Sequence, residues 1–189
     1  MPNYRRNFVP GGTYFFTLVS QNRSPLFDSE LARTILGTAF RECQRDWPFE
    51  IHALVLLPDR LHSIWSLPPG DDRYPARWSR IKAEFTRNWL AAGGGEQFVS
   101  HGKRRERRRG IWQRRYWEHT IESEDEFYIR FDYTHYNPVK HGYVQCPRDW
   151  LPSTFHRWVD AGVYQPNWAC GDRDFKPDFK SVEDNSGEP

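Results

Sequence analysis

Along the first 140 residues the apolar positions alternate between two periods, and each change of period marks a new element. Residues 13–20 are rich in β-branched and aromatic side chains and follow Gly11-Gly12, the pattern of a strand entered through a turn. In residues 29–46, Leu31, Ile35, Leu36, Ala39, Phe40 and Cys43 recur at helical spacing; Ser29 caps the start and Pro48 marks the end. Residues 49–57 read as a mostly apolar strand, and residues 61–67, joined to it through Pro58-Asp59-Arg60, alternate well enough to pair with it as a hairpin. Residues 77–92 predict a second helix, with Trp78, Ile81, Phe85, Trp89 and Leu90 near one stripe and Arg80, Lys82 and Arg87 on the other face; Gly93-Gly94-Gly95 stops it. A mobile connection over 96–110 leads to a further strand over 111–120. The third helix, 122–137, carries Glu124, Asp125 and Glu126 in its first turn, where the helix dipole favours acids, and Pro138 ends it.

Strand, helix, strand, strand, helix, strand, helix is the order of an antiparallel sheet with helices packed on it, a ferredoxin-like α+β fold. The length of 189 residues suits one domain. Residues 1–168 are expected to form it, with 147–168 folding as short helix and loop against the body. Residues 169–189 are expected to be an acidic, loosely held tail.

Composition adds little until charge is read locally. The net charge is only +2, but residues 103–115 hold eight Lys or Arg against one Glu, and residues 171–189 hold six acids against three bases. The basic block runs into Ile111-Trp112-Gln113-Arg114-Arg115-Tyr116-Trp117, interleaving cations with rings, which suits a nucleic-acid backbone with bases stacking nearby. A solvated surface loop is the plainer reading of such a run. Cys43, Cys146 and Cys170 offer neither a CxxC pair nor an even disulfide framework, so free thiols in a reducing cytoplasm are expected. No stretch approaches the roughly 20 apolar residues of a membrane span, and a soluble protein without a membrane partner is expected.

Candidate chemistry gathers on the third helix and the hairpin. Tyr133 and Asn137 are four apart and share one helix face; positions 60 and 62, two apart on a strand, also face the same way. Taken singly, Tyr133 reads as a helix tyrosine, His62 as a satisfied sheet histidine and Asn137 as a helix-terminal amide.

The segments Pro58-Asp59-Arg60-Leu61-His62-Ser63-Ile64-Trp65, Tyr116-Trp117-Glu118-His119 and residues 132–142, from Asp132 through Tyr133, Asn137 and Lys140 to Gly142, together resemble REP-associated tyrosine transposases, the single-tyrosine branch of the HUH endonucleases. The resemblance implies binding of palindromic DNA hairpins and cleavage of a single strand beside them through a tyrosine that becomes joined to the 5′ phosphate. It matches Tyr133 to the nucleophile, His62 to the second histidine of the HUH pair and Asn137 to the helix-borne metal ligand. It implies a divalent cation, magnesium or manganese. Arg60 stands where the first histidine belongs, and a guanidinium offers donors only and cannot ligate a cation. Arg104, Arg105, Arg107, Arg108, Arg114, Arg115 and Lys140 are then expected to hold DNA phosphates. Two alternatives stand beside this reading: a DNA-hairpin binder that does not cut, and an RNA-binding module on the same topology.

Overall fold

A computed structural model of the protein describes residues 6–106 and 109–171 together with Phe179 and Val182. Its sheet has four strands: β1 (Thr13–Val19), β2 (Glu50–Leu57), β3 (Arg60–Ser66) and β4 (Trp117–Ile121). They are ordered β2-β3-β1-β4, and each neighbouring pair is antiparallel. The order of strands and main helices along the chain, and the α+β class, are those expected from the sequence. Helices α1 (Glu30–Asp46) and α2 (Tyr74–Ala91) cover one face, and α4 (Glu124–Lys140) with α5 (Phe155–Asp160) covers the other. A short α3 (His101–Arg105) lies within the stretch expected to be a mobile connection.

Strand alternation decides which side chain meets which helix layer. From β1, Tyr14, Phe16 and Leu18 join Trp65 of β3 and the apolar stripes of α1 and α2, where the Trp65 and Trp78 rings stack with centroids 4.0 Å apart. Phe15 points the other way with Ile64 and Ala53, under Phe131 and Tyr133 of α4. Ser29 caps α1 by accepting from the Ala32 amide, and Ser123 caps α4 by accepting from the Glu126 amide. The exposed edge of β2 is blunted by the segment that follows α4. Arg157 Nη2 donates to the Ile51 and His52 carbonyls, and Trp150 Nε1 to the Leu56 carbonyl, each at 2.8 Å.

The strand expected over 111–120 is confined to Trp117–Ile121, with Trp112 making an isolated bridge to Ser20, and two further features depart from the sequence reading. Pro138 does not end the third helix, which runs on to Lys140. Proline removes one donor and disfavours helical geometry at the preceding residue, a cost that packing of the buried Tyr133, Asn137 and Pro138 against the sheet outweighs. The cysteines also depart from it: Cys146 and Cys170, 24 residues apart, form a disulfide, while Cys43 is a buried free thiol. Segment 147–168 leaves the end of α4 and returns to it, which brings the two together. Among the described residues no helix is long and apolar enough to cross a membrane.

A buried charge pair ties the start of α2 to the loop before it. Arg77, 1% exposed, donates through Nη1 and Nη2 to the two oxygens of Asp71 at 3.0 Å each, and through Nη2 to the Pro48 carbonyl. The Arg77 guanidinium holds the Asp71 carboxyl well below the usual carboxylate range. Because the folded-state pKa is depressed, the pair's contribution is complete above the unfolded value of about 3.9 and is lost as pH falls through the folded one. Asp71→Asn is expected to cost about 3 kcal/mol at neutral pH, since it strands a buried cation. Urea unfolding at pH 7 measures this; a loss under about 1 kcal/mol would show that the carbonyls alone satisfy Arg77.

Candidate active site

The interface between the sheet and α4 gathers the buried polar side chains of Thr17, His62 and Asn137 around one tyrosine. Register pairs Thr17 with His62, and Thr17 Oγ1 and His62 Nδ1 lie 2.9 Å apart. When Nδ1 donates to that hydroxyl, Nε2 carries the lone pair. The His62 ring sits edge-on to Tyr133 with centroids 5.8 Å apart, and Phe15 packs against both. Tyr133 and Asn137 are both 0% exposed. Asn137 Nδ2 donates to the Tyr133 carbonyl, while Asn137 Oδ1 is buried with no hydrogen-bond partner among the described residues.

The extension of α4 past Pro138 has a direct chemical consequence. It carries Lys140 two turns beyond Tyr133, and Lys140 Nζ donates to the Tyr133 hydroxyl at 3.1 Å while lying 4.7 Å from the ring centroid. Lys140, expected from the sequence to hold a DNA phosphate, thus lies at the Tyr133 hydroxyl. An ammonium beside a phenol favours the phenolate.

One turn before Tyr133, α4 presents a second cation that the sequence reading missed. Arg130 is 2% exposed, and its guanidinium lies 5.3 Å from the Phe15 ring centroid and 5.8 Å from that of Trp117. Burial pulls it below the usual arginine range, against the opposing charges of Glu126 and Tyr133. Glu126 Oε1 accepts from its Nε at 3.0 Å and orients it, and the same carboxylate meets His119 at 2.5 Å. Arg130 Nη1 is buried with no hydrogen-bond partner among the described residues. Arg130, Tyr133, Asn137 and Lys140 therefore form one stripe at spacings of three, four and three. A helix continued through Pro138 makes that stripe readable; the Thr17–His62 contact has no local signal at all.

Arg60 lies beside His62 on β3 but turns onto its neighbour Asp59. Its Nε donates to Oδ1 at 2.8 Å and its Nη2 to Oδ2 at 3.3 Å, and Arg23 donates to the same carboxylate at 3.1 Å. Asp59 is thus committed to two guanidiniums. No group of three His, Cys, Asp or Glu able to hold a metal occurs among the described residues. His62 and Asn137 Oδ1 make two neutral donors, which fits an ion completed by substrate phosphate oxygens and water, not one held by the protein alone.

Two residues far along the chain, Phe179 and Val182, join the Tyr133 cluster. Phe179 packs edge-on to the Tyr133 ring at 5.4 Å, and Val182 is 1% exposed. In the basic stretch, Arg105, Arg114 and Arg115 are exposed, and Arg104 is paired with Glu96 at 3.1 Å. Arg107 and Arg108 lie outside the described residues. His135 is structural: it bridges Thr154 Oγ1 and the Tyr164 hydroxyl, and burial holds it neutral with a pKa near about 3.

No protein-family model matches the chain. It is 42% identical over 178 residues to an Escherichia coli K12 protein named REP-associated tyrosine transposase, covering 93% of this chain and 95% of the relative. A Haemophilus influenzae relative carrying the same family name is 40% identical over 176 residues, 93% of this chain and 97% of the relative. A solved structure of a REP-associated tyrosine transposase bound to a REP hairpin superposes with a TM-score of 0.75 at 40% identity, covering 94% of this chain and 96% of that one.

Proposed function

The chain belongs to the REP-associated tyrosine transposases, and from that membership we propose that it binds REP-type DNA hairpins and cleaves and rejoins the single strand beside them through Tyr133. The observation that carries this is the Tyr133 hydroxyl held 3.1 Å from Lys140 Nζ on a helix face shared with Arg130 and Asn137. Residues 1–168 are assigned as the catalytic unit and 169–189 as a tail, of which Phe179 and Val182 pack in the Tyr133 cluster. A cytoplasmic location is inferred from the family membership alone.

The chemistry follows from charge. A phenol with an ordinary pKa of roughly 10 is a poor nucleophile at neutral pH. Lys140 stabilises the oxyanion as the proton leaves to solvent. The phenolate oxygen attacks the scissile phosphorus, a P–O bond to tyrosine forms, and the P–O3′ bond breaks. The departing 3′ oxygen takes up a proton to become a free hydroxyl. The ester preserves the phosphodiester's bond energy, so a 3′ hydroxyl can attack it, return the phenolate and join strands. Arg130, held by Glu126 with Nη1 available to an acceptor, steadies a non-bridging phosphate oxygen. A phosphate reaches this wall only when Phe179 gives way.

A divalent ion, magnesium or manganese, would be held by His62 and Asn137 together with the strand's own phosphate. It would supply Lewis-acid polarisation of that phosphate. Arg60 removes one ligand from this set, and that favours the second reading, a hairpin binder that cuts slowly or not at all.

Incubating labelled hairpin DNA carrying a single-stranded flank with the protein and manganese, then separating on a denaturing gel, tests the enzyme reading. A covalent adduct is expected; binding without adduct at any metal concentration leaves only the binder. Hairpin affinity is expected to be largely electrostatic, with Arg104, Arg105, Arg107, Arg108, Arg114 and Arg115 on phosphates. If about six phosphates are neutralised, affinity should drop by roughly a thousandfold between 50 and 200 mM salt. A flat salt dependence would count against the basic stretch as a DNA clamp.

A further inference from the structure

On the α1 and α2 side of the fold, apart from Tyr133, lies a cavity of about 650 Å³ whose wall is cationic. Lys82, Arg87, Arg109 and Arg114 line it with Trp112 and Gln113, and no Asp or Glu does. Two of these cations are compensated nearby: Arg87 pairs with Glu84 and Arg109 with Glu96. The other two are not. Lys82 Nζ donates at 2.8 Å to the Gln113 carbonyl, lies 5.8 Å from the Trp112 ring centroid, and has no carboxylate partner among the described residues. Arg114 is exposed at the rim and makes no ion pair among the described residues.

A half-buried ammonium bonded to one neutral carbonyl is an unbalanced arrangement. Burial, with the charge of Arg6 adding to it, pulls the Lys82 ammonium down to about 8. An anion entering the cavity would reverse that loss, and the two uncompensated cations suit one delocalised negative charge.

The cavity meets the end of β1 on the face of the sheet opposite Tyr133. Val19, the last residue of β1, pairs with Arg60 on one side, and its carbonyl accepts from the Gln113 amide at 3.0 Å on the other. Two strand spacings, about 10 Å, therefore separate the Arg60 and Gln113 backbones.

We propose that the Lys82 cavity is a binding site for a backbone phosphodiester of the single-stranded DNA flank. The proposal rests on the hairpin reading above and adds the site where the unpaired strand is gripped. Lys82 supplies the half-buried charge, Arg87 and Arg114 the rim, and Gln113 ties the site to the end of β1.

Fluorescence anisotropy with two oligonucleotides tests it: a hairpin with a single-stranded flank and the same hairpin with blunt ends. With the full chain, Lys82→Gln is expected to weaken binding of the flanked hairpin about tenfold and to leave the blunt one within twofold. Its plot of log affinity against log salt should be shallower by about 0.7 for the flanked DNA, the value for one single-strand phosphate contact. Arg87→Gln, at an exposed position that leaves the fold intact, should produce a smaller loss with the same selectivity. Replacing flank phosphates one at a time by neutral methylphosphonates should weaken the wild type at one or two positions, and Lys82→Gln should be indifferent there. Equal losses for both oligonucleotides, or none for either, overturn the site while leaving hairpin recognition intact. If the wild type binds neither oligonucleotide, the hairpin reading and this site both fall.

Discussion

Tyr133→Phe is expected to reduce the covalent protein–DNA adduct by about four orders of magnitude or more, the scale on which removing a nucleophile acts, while hairpin affinity stays within about twofold. The substitution deletes one oxygen. The ring keeps its contacts with Phe15, His62 and Phe179, so the fold should lose only about 1 kcal/mol from the missing hydrogen bond with Lys140. Tyr136, three residues on, is the control: its ring packs against Trp168 and Phe179, and Tyr136→Phe should leave the adduct in place. The measurement is adduct yield on a denaturing gel beside anisotropy on the same preparations. An adduct that persists in Tyr133→Phe removes this residue from the nucleophile's role.

Arg60→His is expected to raise metal-dependent cleavage by roughly 10- to 100-fold. Position 60 shares the strand face of His62, and a fixed positive charge there both withholds a ligand and repels a divalent ion at close range. Asp59 now spends its two oxygens on Arg60, with Arg23 sharing one of them. With histidine at 60, the same carboxylate keeps Arg23 and becomes the acceptor that orients the new imidazole, the usual arrangement behind a metal-bound histidine. A metal titration of hairpin cleavage by both proteins side by side decides it. Equal rates and equal metal dependence would place residue 60 outside the ion's surroundings. A slower Arg60→His protein would instead make Arg60 itself a phosphate-binding group.

Much of this molecule is written in local pattern. Alternation in β1 sends Phe15 to one layer and Tyr14 and Phe16 to the other, and the helical recurrence of Leu36, Ala39, Phe40 and Cys43 fits one face of α1 to the sheet. These are short-range signals, set by the periods of 2 and 3.6, and they suffice for the element order and for the pairing of the β2–β3 hairpin. The family pattern around His62, Tyr133 and Asn137 is likewise carried by short segments.

What the tertiary structure alone decided depends on contacts between residues far apart in the chain, or on packing that overrides a local preference. Pro138 reads as a helix end because its ring disfavours helical geometry before it; burial of the α4 face outweighs that preference, and Lys140 arrives at the Tyr133 hydroxyl. Arg130 looks like any helix arginine until Phe15 and Trp117, from two different strands, close over it. The Cys146–Cys170 disulfide and the seating of Phe179 on Tyr133 join segments that share no periodicity. Such contacts leave no trace in nearest-neighbour propensities, because their free energy comes from surface buried only once the whole chain is folded.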